Sequence, residues 1–281
     1  MRKINLLSLF LCLCMIFSGC QGLLPRQPAV DYNNTVTMLD VGQAASTLIE
    51  SDGEFCLIDA GKYGGATDIV SYLSHRKVKK IDLLVLTHFH YDHTSQALDV
   101  IRNFDIGTVL IPKLSEQNIP DTYFYKSLME DSKNGYYSLV YAQNGLEFTL
   151  GQGVLKVLGD TPDTDNINNT SVATSFTVNN AVYVNTADCE SDREQELLEY
   201  LPENISFFTA GHHGSSDATS QRLLDRLNPS VVGISCKADN EYGHPHSQML
   251  KRLTDMGIPY YITYETGNIV YYMDTQTIIT E

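Results

Sequence analysis

The chain has 281 residues, of which 43% are hydrophobic and 19% are charged, and its formal net charge at pH 7 is −15. This composition is typical of a globular protein with a substantial core, and it excludes a disordered chain. The acidic balance argues against a protein that binds nucleic acid mainly through its surface charge, because phosphate binding depends on Lys and Arg.

The first 20 residues have the pattern of an export signal. Two basic residues precede an apolar run over residues 4–17, and a Ser-Gly-Cys sequence ending at Cys20 follows. This order predicts a signal peptide over residues 1–19. The end of the run resembles the bacterial lipobox, which implies lipidation of Cys20. An uncleaved membrane anchor is the alternative, although the run is somewhat short to span a bilayer.

Either interpretation places the rest of the protein on the extracellular face of the bacterial cell membrane. Residues 20–33 contain prolines and polar residues and are predicted to form a flexible tether. Residues 34–281 would then form the folded domain. Cys56, Cys189 and Cys236 are the cysteines of this body, and an odd number argues against a complete disulfide framework.

The domain begins with strand patterns. Short apolar or β-branched runs predict strands over residues 35–39, 46–50, 55–58 and 81–86, with a helix over residues 66–75 before the last of them.

Four potential metal ligands follow the 81–86 run within six residues: His88, His90, Asp92 and His93. Imidazole and carboxylate are ligands that suit zinc and neighbouring divalent metals. His88 and His90 are two residues apart and can face one ion, whereas Asp92 and His93 can face a second ion nearby. A polar loop that is rich in His by chance is the alternative, and the position after a buried strand argues against it.

The spacing His-x-His-x-Asp-His resembles the signature of the metallo-β-lactamase fold, a superfamily of mostly dinuclear metal hydrolases. The resemblance implies an α/β, four-layer αββα sandwich that holds two divalent metal ions. Zn²⁺ is the first expectation and Mn²⁺ the second. The resemblance does not identify the substrate, because enzymes with this fold catalyse many different reactions.

After the metal-ligand segment, a helix is predicted over residues 95–104 and a strand over 108–111. Residues 115–145 are rich in aromatic side chains, which either line a substrate groove or cap the core of a helix and a strand. The second half again alternates, with predicted strands over 148–150, 154–158, 173–178, 182–185, 205–209, 231–235, 260–263 and 269–273, and helices over 193–200, 220–227 and 248–256. Two such halves suggest two sheets packed face to face with helices outside.

Further candidate site residues follow strand ends. Asp188 comes after the predicted strand over 182–185 and resembles the carboxylate that bridges both metals in the superfamily, with Ala187 where a Gly is usual. A helix N-cap is the alternative role for Asp188. Asp59 ends the third strand and is predicted to hold the free imidazole N–H of a ligand His, or else to form a turn.

Two later His-rich segments complete the set of candidates. His212 ends a predicted strand and is the first choice for the remaining metal ligand. His213 or His244 would protonate a leaving group or contact a phosphate. His246 would then begin the last long helix.

The segments His-His-Gly-Ser and Asn-Glu-Tyr-Gly-His-Pro-His resemble the metallo-β-lactamase domain of the ComEC competence proteins, and the similarity extends over about residues 35–275. The chain differs from many relatives at Ala44 and Ala45, where they have Gly-Asp. It also lacks an isolated His before the bridging Asp, and Asn169 lies nearest to that point. One metal would therefore have fewer protein ligands, which can favour Mn²⁺.

These residues predict metal-assisted hydrolysis of a phosphodiester, in which two ions activate water and a His assists the leaving oxygen. One interpretation is an extracellular nuclease acting on DNA. A second is an envelope phosphodiesterase such as a teichoic-acid phosphorylcholine esterase, which better suits the acidity and the membrane tether. A third is a binding protein of the same fold that has lost catalysis, which the alanines at 44 and 45 support. No protein partner is indicated.

Overall fold

The computed structural model describes residues 33–281. The predicted signal peptide and Cys20 lie outside the described residues. Within residues 33–281, no helix is both long enough and apolar enough to cross a membrane.

Two β-sheets contain the strands, which are numbered here along the chain. The first sheet has eight strands: β1 Asn34–Met38, β2 Thr47–Ser51, β3 Glu54–Ile58, β4 Lys80–Val85, β5 Asp105–Ile111, β6 Ser138–Tyr141, β14 Ile269–Tyr272 and β15 Thr277–Thr280. Its spatial order is β15-β14-β1-β2-β3-β4-β5-β6. Strands β3 to β6 run parallel to one another, and the other neighbours are antiparallel.

The second sheet has seven strands: β7 Glu147–Leu150, β8 Gly153–Leu158, β9 Ala173–Val178, β10 Ala181–Asn185, β11 Phe207–Thr209, β12 Val231–Ile234 and β13 Tyr260–Ile262. Its spatial order is β13-β12-β11-β10-β9-β8-β7. Strands β10 to β13 are parallel, as β3 to β6 are in the first sheet.

Within residues 33–281, eight α-helices connect these strands: α1 Ile69–His75, α2 Tyr91–Thr94, α3 Ala97–Asn103, α4 Tyr123–Lys133, α5 Ser191–Leu197, α6 Gln221–Leu227, α7 Ser247–Asp255 and α8 Thr263–Thr266. Side-chain caps mark several of their starts, because Asp68, Thr122 and Ser220 accept hydrogen bonds from backbone N–H groups of the first turns of α1, α4 and α6.

Three apolar clusters separate four layers. The middle cluster joins the two sheets, since it combines Ile58 and Val85 with Phe176 and Phe207. A second cluster packs α1, α3 and α4 on the outer face of the first sheet, and a third packs α5, α6 and α7 on the outer face of the second. The predicted αββα sandwich is confirmed.

Strand β4 illustrates why a strand of this fold can be recognised from its apolar sequence. Its Leu83 and Val85 point into the inter-sheet cluster, whereas Leu84 between them points to the helical layer, because successive side chains alternate between faces. Both faces are buried, so the strand is almost continuously apolar in sequence.

The aromatic segment caps the core with Phe124, Tyr125 and Tyr137, whereas Tyr123, Tyr136 and Tyr141 are exposed. Tyr137 is buried and donates from its hydroxyl to the carbonyl of Leu128, 2.7 Å away. Phe124 and Tyr125 pack on the second cluster and contact the ring of Phe89, which lies between His88 and His90 in sequence. The helix α4 thereby supports the metal-ligand segment from behind.

Candidate metal centre

Strand ends from both sheets meet at one edge of the sandwich. Asp59 follows β3 and His88 follows β4, which are parallel neighbours in the first sheet. Asp188 follows β10 and His213 follows β11, which are parallel neighbours in the second sheet. A backbone hydrogen bond of 2.9 Å from Val172 N to Thr87 O joins the two sheets here. Carboxyl ends of parallel strands form the site, as in other open α/β sheets.

Four non-glycine residues at these strand ends adopt left-handed backbone conformations: Asp59, Ala187, His212 and His213. Each costs about 1–2 kcal/mol, and such residues cluster at functional sites. Ala187 has φ 48° where the superfamily usually has Gly, so the substitution noticed in the sequence falls on a position that suits glycine. Asn185 Oδ1 accepts from Ala187 N at 2.7 Å and stabilises this turn.

His88, His90 and Asp188 form the first half of the centre. His88 Nε2 and His90 Nδ1 lie 3.1 Å apart, and His88 Nε2 lies 3.8 Å from Asp188 Oδ2. Two nitrogens at that separation can both lie about 2.1 Å from one ion. His88 and His90 can therefore bind one divalent metal, and the Nε2 atom of His88 lies close enough to Asp188 for that carboxylate to reach the same ion.

Asp92, His93 and His213 form the second half. His213 Nε2 lies 3.2 Å from Asp92 Oδ2 and 3.7 Å from Asp188 Oδ2. His93 Nε2 lies 3.2 Å from the same Asp188 oxygen. Asp188 Oδ2 thus faces both halves, which is the position of a bridging carboxylate.

The position of His93 follows from its loop. The one-turn helix α2 begins after His90, and His93 N donates to His90 O at 3.1 Å. Ala60 N donates to His93 O at 2.7 Å, which attaches this turn to the end of β3.

In His93 and His213, the hydrogen-bond partner of Nδ1 determines whether Nε2 is free to bind a metal. His93 Nδ1 lies 2.7 Å from Asp59 Oδ2, and His213 Nδ1 lies 3.0 Å from Ser235 O. Carboxylate and carbonyl oxygens accept only, so both Nδ1 atoms carry a proton, and in the neutral form that binds a metal each ring presents a lone pair on Nε2.

His88 has the same tautomer. Thr87 Oγ1 donates to Asp59 Oδ2 at 2.8 Å and therefore accepts from His88 Nδ1 at 3.2 Å. Ser171 Oγ, 3.3 Å from His88 Nδ1, also accepts from Asp188 N and joins the two ligands.

Charge compensation is strong inside this cluster. Burial raises the pKa of Asp188, but His93, His213 and His88 outweigh it and hold that pKa well below its usual range. Burial likewise opposes the charged form of His93, yet Asp188 and Asp59 raise its pKa well above normal. Burial lowers the pKa of His88 well below normal, and His93 adds to that effect. The carboxylates thus remain ionised and available as ligands.

The residues fit a pair of divalent ions. His93 Nε2 is buried and makes no hydrogen bond within the described residues, although it points into the cluster. Such an atom is costly to bury unless a cation satisfies it. The donors are nitrogen and carboxylate oxygen, which suits zinc or manganese.

His212 is less well placed than His213. Its Nε2 lies 3.9 Å from Asp188 Oδ2, its Nδ1 lies 3.4 Å from the half-exposed Asp217, and its side chain is 22% exposed. The geometry therefore favours His213, not His212, as the ligand from this segment. The reason is the left-handed backbone at both residues, which turns the second ring inward.

Other predicted residues take supporting positions. Asn169 Oδ1 accepts from Glu190 N at 2.9 Å and so braces the loop that follows Asp188. Its neighbour Asn168, whose Oδ1 is buried without a partner, lines the site pocket. The Cys189 side chain belongs to the helix–sheet core of the second sheet.

A pocket of about 280 Å³ opens over the centre, lined by Gln43, His90, Asp92, Asn168, Asp188, His212, His213, Tyr242 and His244. Sequence reasoning assigned no role to Gln43, Asn168 or Tyr242. Gln43 is buried, and the signal available in the sequence was a polar amide between Gly42 and two alanines.

Ala45, one of the two departures from the ComEC pattern, lies beside the centre without adding a ligand. Its N–H donates to Asp92 O at 3.2 Å, and its carbonyl accepts from Gly61 N at 2.9 Å. Ala45 thus helps to hold the metal-ligand loop through its backbone alone.

Comparison with known proteins identifies the family of this chain. The family model described as the metallo-beta-lactamase superfamily matches residues 39–233. ComE operon protein 3 of Bacillus subtilis is 25% identical over 264 residues, which cover 87% of this chain and 34% of that protein. Recombination protein 2 of Haemophilus influenzae is 27% identical over 223 residues, which cover 78% of this chain and 26% of that protein.

This chain thus spans about a third or less of the length of these curated relatives. Among solved structures, the metallo-beta-lactamase fold protein YhfI from Bacillus subtilis superposes with a TM-score of 0.57 at 14% identity, covering 85% of this chain and 99% of that one. That likeness concerns the fold alone. The family match over most of the domain shows that the chain belongs to the metallo-β-lactamase superfamily.

Proposed function

We propose that this protein is a metal-dependent phosphodiesterase that holds two divalent ions, with Zn²⁺ the first expectation and Mn²⁺ the second. The convergence of His88, His93 and His213, which follow β4 and β11, on Asp188 Oδ2 supports this proposal most strongly. His88, His90 and Asp188 would hold one ion, and Asp92, His93, His213 and Asp188 the other.

Bound ions of this kind acidify water to a pKa of about 7 and neutralise charge on a phosphoryl oxygen. The chain's own residues orient these ions. Asp59 holds the proton of His93 on Nδ1, and the carbonyl of Ser235 does the same for His213, so both rings keep their Nε2 atoms free. His244 lines the same pocket, with its ring 6.4 Å from that of His213, and is available to a substrate oxygen.

A nucleic-acid substrate is our first candidate. The curated relatives include a protein named for recombination, and the pocket is lined by one exposed aromatic ring, Tyr242, on which a base can stack. Tyr242 is 58% exposed and stacks on His244, and Tyr91, between His90 and Asp92, is 65% exposed. A strongly acidic protein would then bind DNA at the metal site and not through surface charge.

An envelope polymer such as teichoic acid is the second candidate, and the predicted lipid anchor favours it. We propose that the protein is attached to the outer face of the cell membrane through Cys20. Cys20→Ala should release the protein from the membrane fraction and abolish incorporation of labelled palmitate. Retention of the variant in membranes without lipid would indicate an uncleaved anchor instead.

The function is tested with the full-length protein purified in detergent. Bound metals are measured by mass spectrometry, and hydrolysis of bis-p-nitrophenyl phosphate is followed with added Zn²⁺ or Mn²⁺. We expect about two ions per chain and an activity that Asp92→Ala abolishes. Asp255→Ala, which removes an exposed carboxylate on α7, is the matched control and should behave as wild type.

Single-stranded DNA and teichoic acid are then compared as substrates of the same preparations. Two bound ions without hydrolysis of any phosphodiester would contradict the proposed activity and favour a binding role. Retained activity in Asp92→Ala would contradict the proposed centre.

A further inference from the structure

The loop between β12 and α7 is held rigidly over the metal pocket. Asn240 Oδ1 accepts from Tyr242 N at 3.1 Å and from His244 N at 3.0 Å, and its Nδ2 donates to the carbonyls of Lys237 and His244. This one side chain bridges the whole turn with both of its polar atoms. The loop therefore presents His244 in a defined position and not as a mobile surface group.

His246 stabilises the same loop through hydrogen bonds. Its Nδ1 accepts from Ser216 N at 2.9 Å, and its Nε2 donates to Tyr242 O at 3.0 Å. Both ring nitrogens of His246 are used, so this residue serves structure. His244 remains as the histidine of this loop that can act on a ligand.

Gln43 determines the protonation of His244. The Gln43 Oε1 atom accepts from Lys237 N at 3.2 Å, and a backbone N–H can only donate. The amide is therefore oriented with its Nε2 atom toward His244 Nδ1, 3.2 Å away. An amide NH₂ group also only donates, so His244 Nδ1 must accept and the proton of the neutral ring is on Nε2.

This tautomer is opposite to that of the ligand histidines. His88, His93 and His213 carry their protons on Nδ1 and present a bare Nε2, whereas His244 presents an N–H. No hydrogen bond to His244 Nε2 occurs within the described part of the chain, and the ring lines the pocket beside Asp92 and His213. An N–H donor beside a cationic centre suits an anionic ligand oxygen.

We propose that His244 acts as a neutral hydrogen-bond donor, through Nε2–H, to a charged oxygen of the substrate phosphate, and that Gln43 is the positioning residue that sets this tautomer. The role is charge stabilisation and not proton transfer to the leaving group. The phosphate part of this inference rests on the proposed phosphodiesterase function, whereas the tautomer does not.

The surroundings of His244 agree with a neutral ring. Burial, together with the neighbouring His213, His212 and His246, lowers the pKa of His244 to about 4. Tyr242 covers one face of the ring at a centroid distance of 5.6 Å.

The tautomer is measured directly by long-range proton–nitrogen NMR of the imidazoles in full-length, ¹⁵N-labelled protein, with His244→Gln used to assign the signals. We expect a protonated Nε2 and a bare Nδ1 for His244. Gln43→Glu is nearly isosteric but can only accept, so it should move a proton to Nδ1. Gln221→Glu, which adds the same charge on the exposed face of α6, should leave the signals unchanged.

The catalytic consequence is read from kcat and KM separately, with metal content measured in each sample. His244→Ala should lower kcat about 100-fold or more with two ions retained. His244→Gln keeps an N–H donor near the same place and should recover at least about tenfold over the Ala variant. Gln43→Glu should lower kcat about tenfold or more relative to Gln221→Glu.

A bare Nε2 on His244 in the wild-type protein would overturn the assignment, as would an unchanged kcat in Gln43→Glu. Equal loss in the Ala and Gln variants would show that His244 donates a proton and not only a hydrogen bond. If the wild-type protein hydrolyses no phosphodiester, the proposed function and the phosphate role of His244 both fail, while the NMR result still decides the role of Gln43.

Discussion

Each histidine of this centre has a role that depends on the partner of its second ring nitrogen. His93 and His213 donate from Nδ1 to acceptor-only oxygens and so present Nε2 as ligand atoms. His244 accepts at Nδ1 from Gln43 and so presents a donor. The residue type alone does not distinguish a ligand from a donor, because a neutral imidazole can serve as either.

The choice between the adjacent histidines can be tested by metal content. His213→Ala should lose about one metal ion per chain, because its Nε2 lies within 3.7 Å of both Asp92 Oδ2 and Asp188 Oδ2. His212→Ala should retain both ions, since its ring lies farther from Asp188 and faces Asp217. The metal content of the two variants is measured by mass spectrometry. Loss of an ion from His212→Ala but not from His213→Ala would identify His212 as the ligand.

Asp59→Asn should weaken metal binding about 10- to 100-fold. Thr87 N already occupies Asp59 Oδ1, so the new amide N–H₂ would face His93 Nδ1 in place of Oδ2. The new amide and the His93 Nδ1–H group would then both be donors facing each other. His93 can avoid this contact by moving its proton to Nε2, the atom that would otherwise bind the metal.

Competition with a chromogenic chelator measures the affinity of the Asp59 variant. The matched control is Asp68→Asn, because Asp68 caps α1 and Asn caps a helix equally well. An affinity equal to that of the control would refute the role given to Asp59.

At the scale of elements, the buried strands fix the position of the backbone, and the turns that follow them orient the metal-ligand side chains toward one point. β3, β4, β10 and β11 each end in a turn at the same edge, and two backbone hydrogen bonds attach the His93 turn to the Asp59 segment and to His90. The left-handed residues at these turns store strain that the surrounding core must offset.

The hairpin between β7 and β8 shows how closely the two sheets approach. Gly151 has φ 55°, and a Cβ atom there would lie 2.0 Å from Ser51 O of β2. Gly145 has φ 79° and open space around it. Both glycines have a left-handed backbone, but only at Gly151 would an added Cβ atom clash with a neighbouring strand.

Gly151→Ala should therefore lower the free energy of unfolding by about 3 kcal/mol or more, from left-handed strain and overpacking together. Gly145→Ala should cost only about 1 kcal/mol, the strain alone. Urea denaturation of both variants, with metal content unchanged, checks the difference. Equal losses would mean that the hairpin can shift away from β2.

At the scale of the whole molecule, the metal centre joins the two sheets at one edge of the sandwich. Asp92 and His93 come from the first sheet, and Asp188 and His213 from the second. Ions shared between these groups would therefore cross-link the halves of the domain.

Removal of metal should lower Tm for this reason. A ligand that binds only the folded state stabilises it by about 2.7 kcal/mol when its concentration is 100 times Kd. Differential scanning calorimetry with and without a chelator measures the shift, and added Zn²⁺ should restore the original Tm. His213→Ala should show a smaller shift than wild type, and an unchanged Tm on chelation would show that the ions do not couple the sheets.

The sequence by itself determined the fold class, most strand positions and the core of the ligand set. Alternating burial makes strands such as β4 visible as apolar runs, and His88, His90, Asp92 and His93 stand within one short segment, so local spacing was sufficient. Helix ends were less well predicted: the helix expected over residues 95–104 is α3, which spans Ala97–Asn103, and the one-turn helix α2, Tyr91–Thr94, lies unpredicted within the metal-ligand segment.

Only the tertiary structure decided the roles that depend on partners distant in the chain. The preference for His213 over His212 follows from two left-handed residues and from contacts with Asp92, 121 residues away. The tautomer of His244 follows from Gln43, 201 residues away. A proton's position on an imidazole is determined by the group opposite it, and that group is known only after the two sheets have packed.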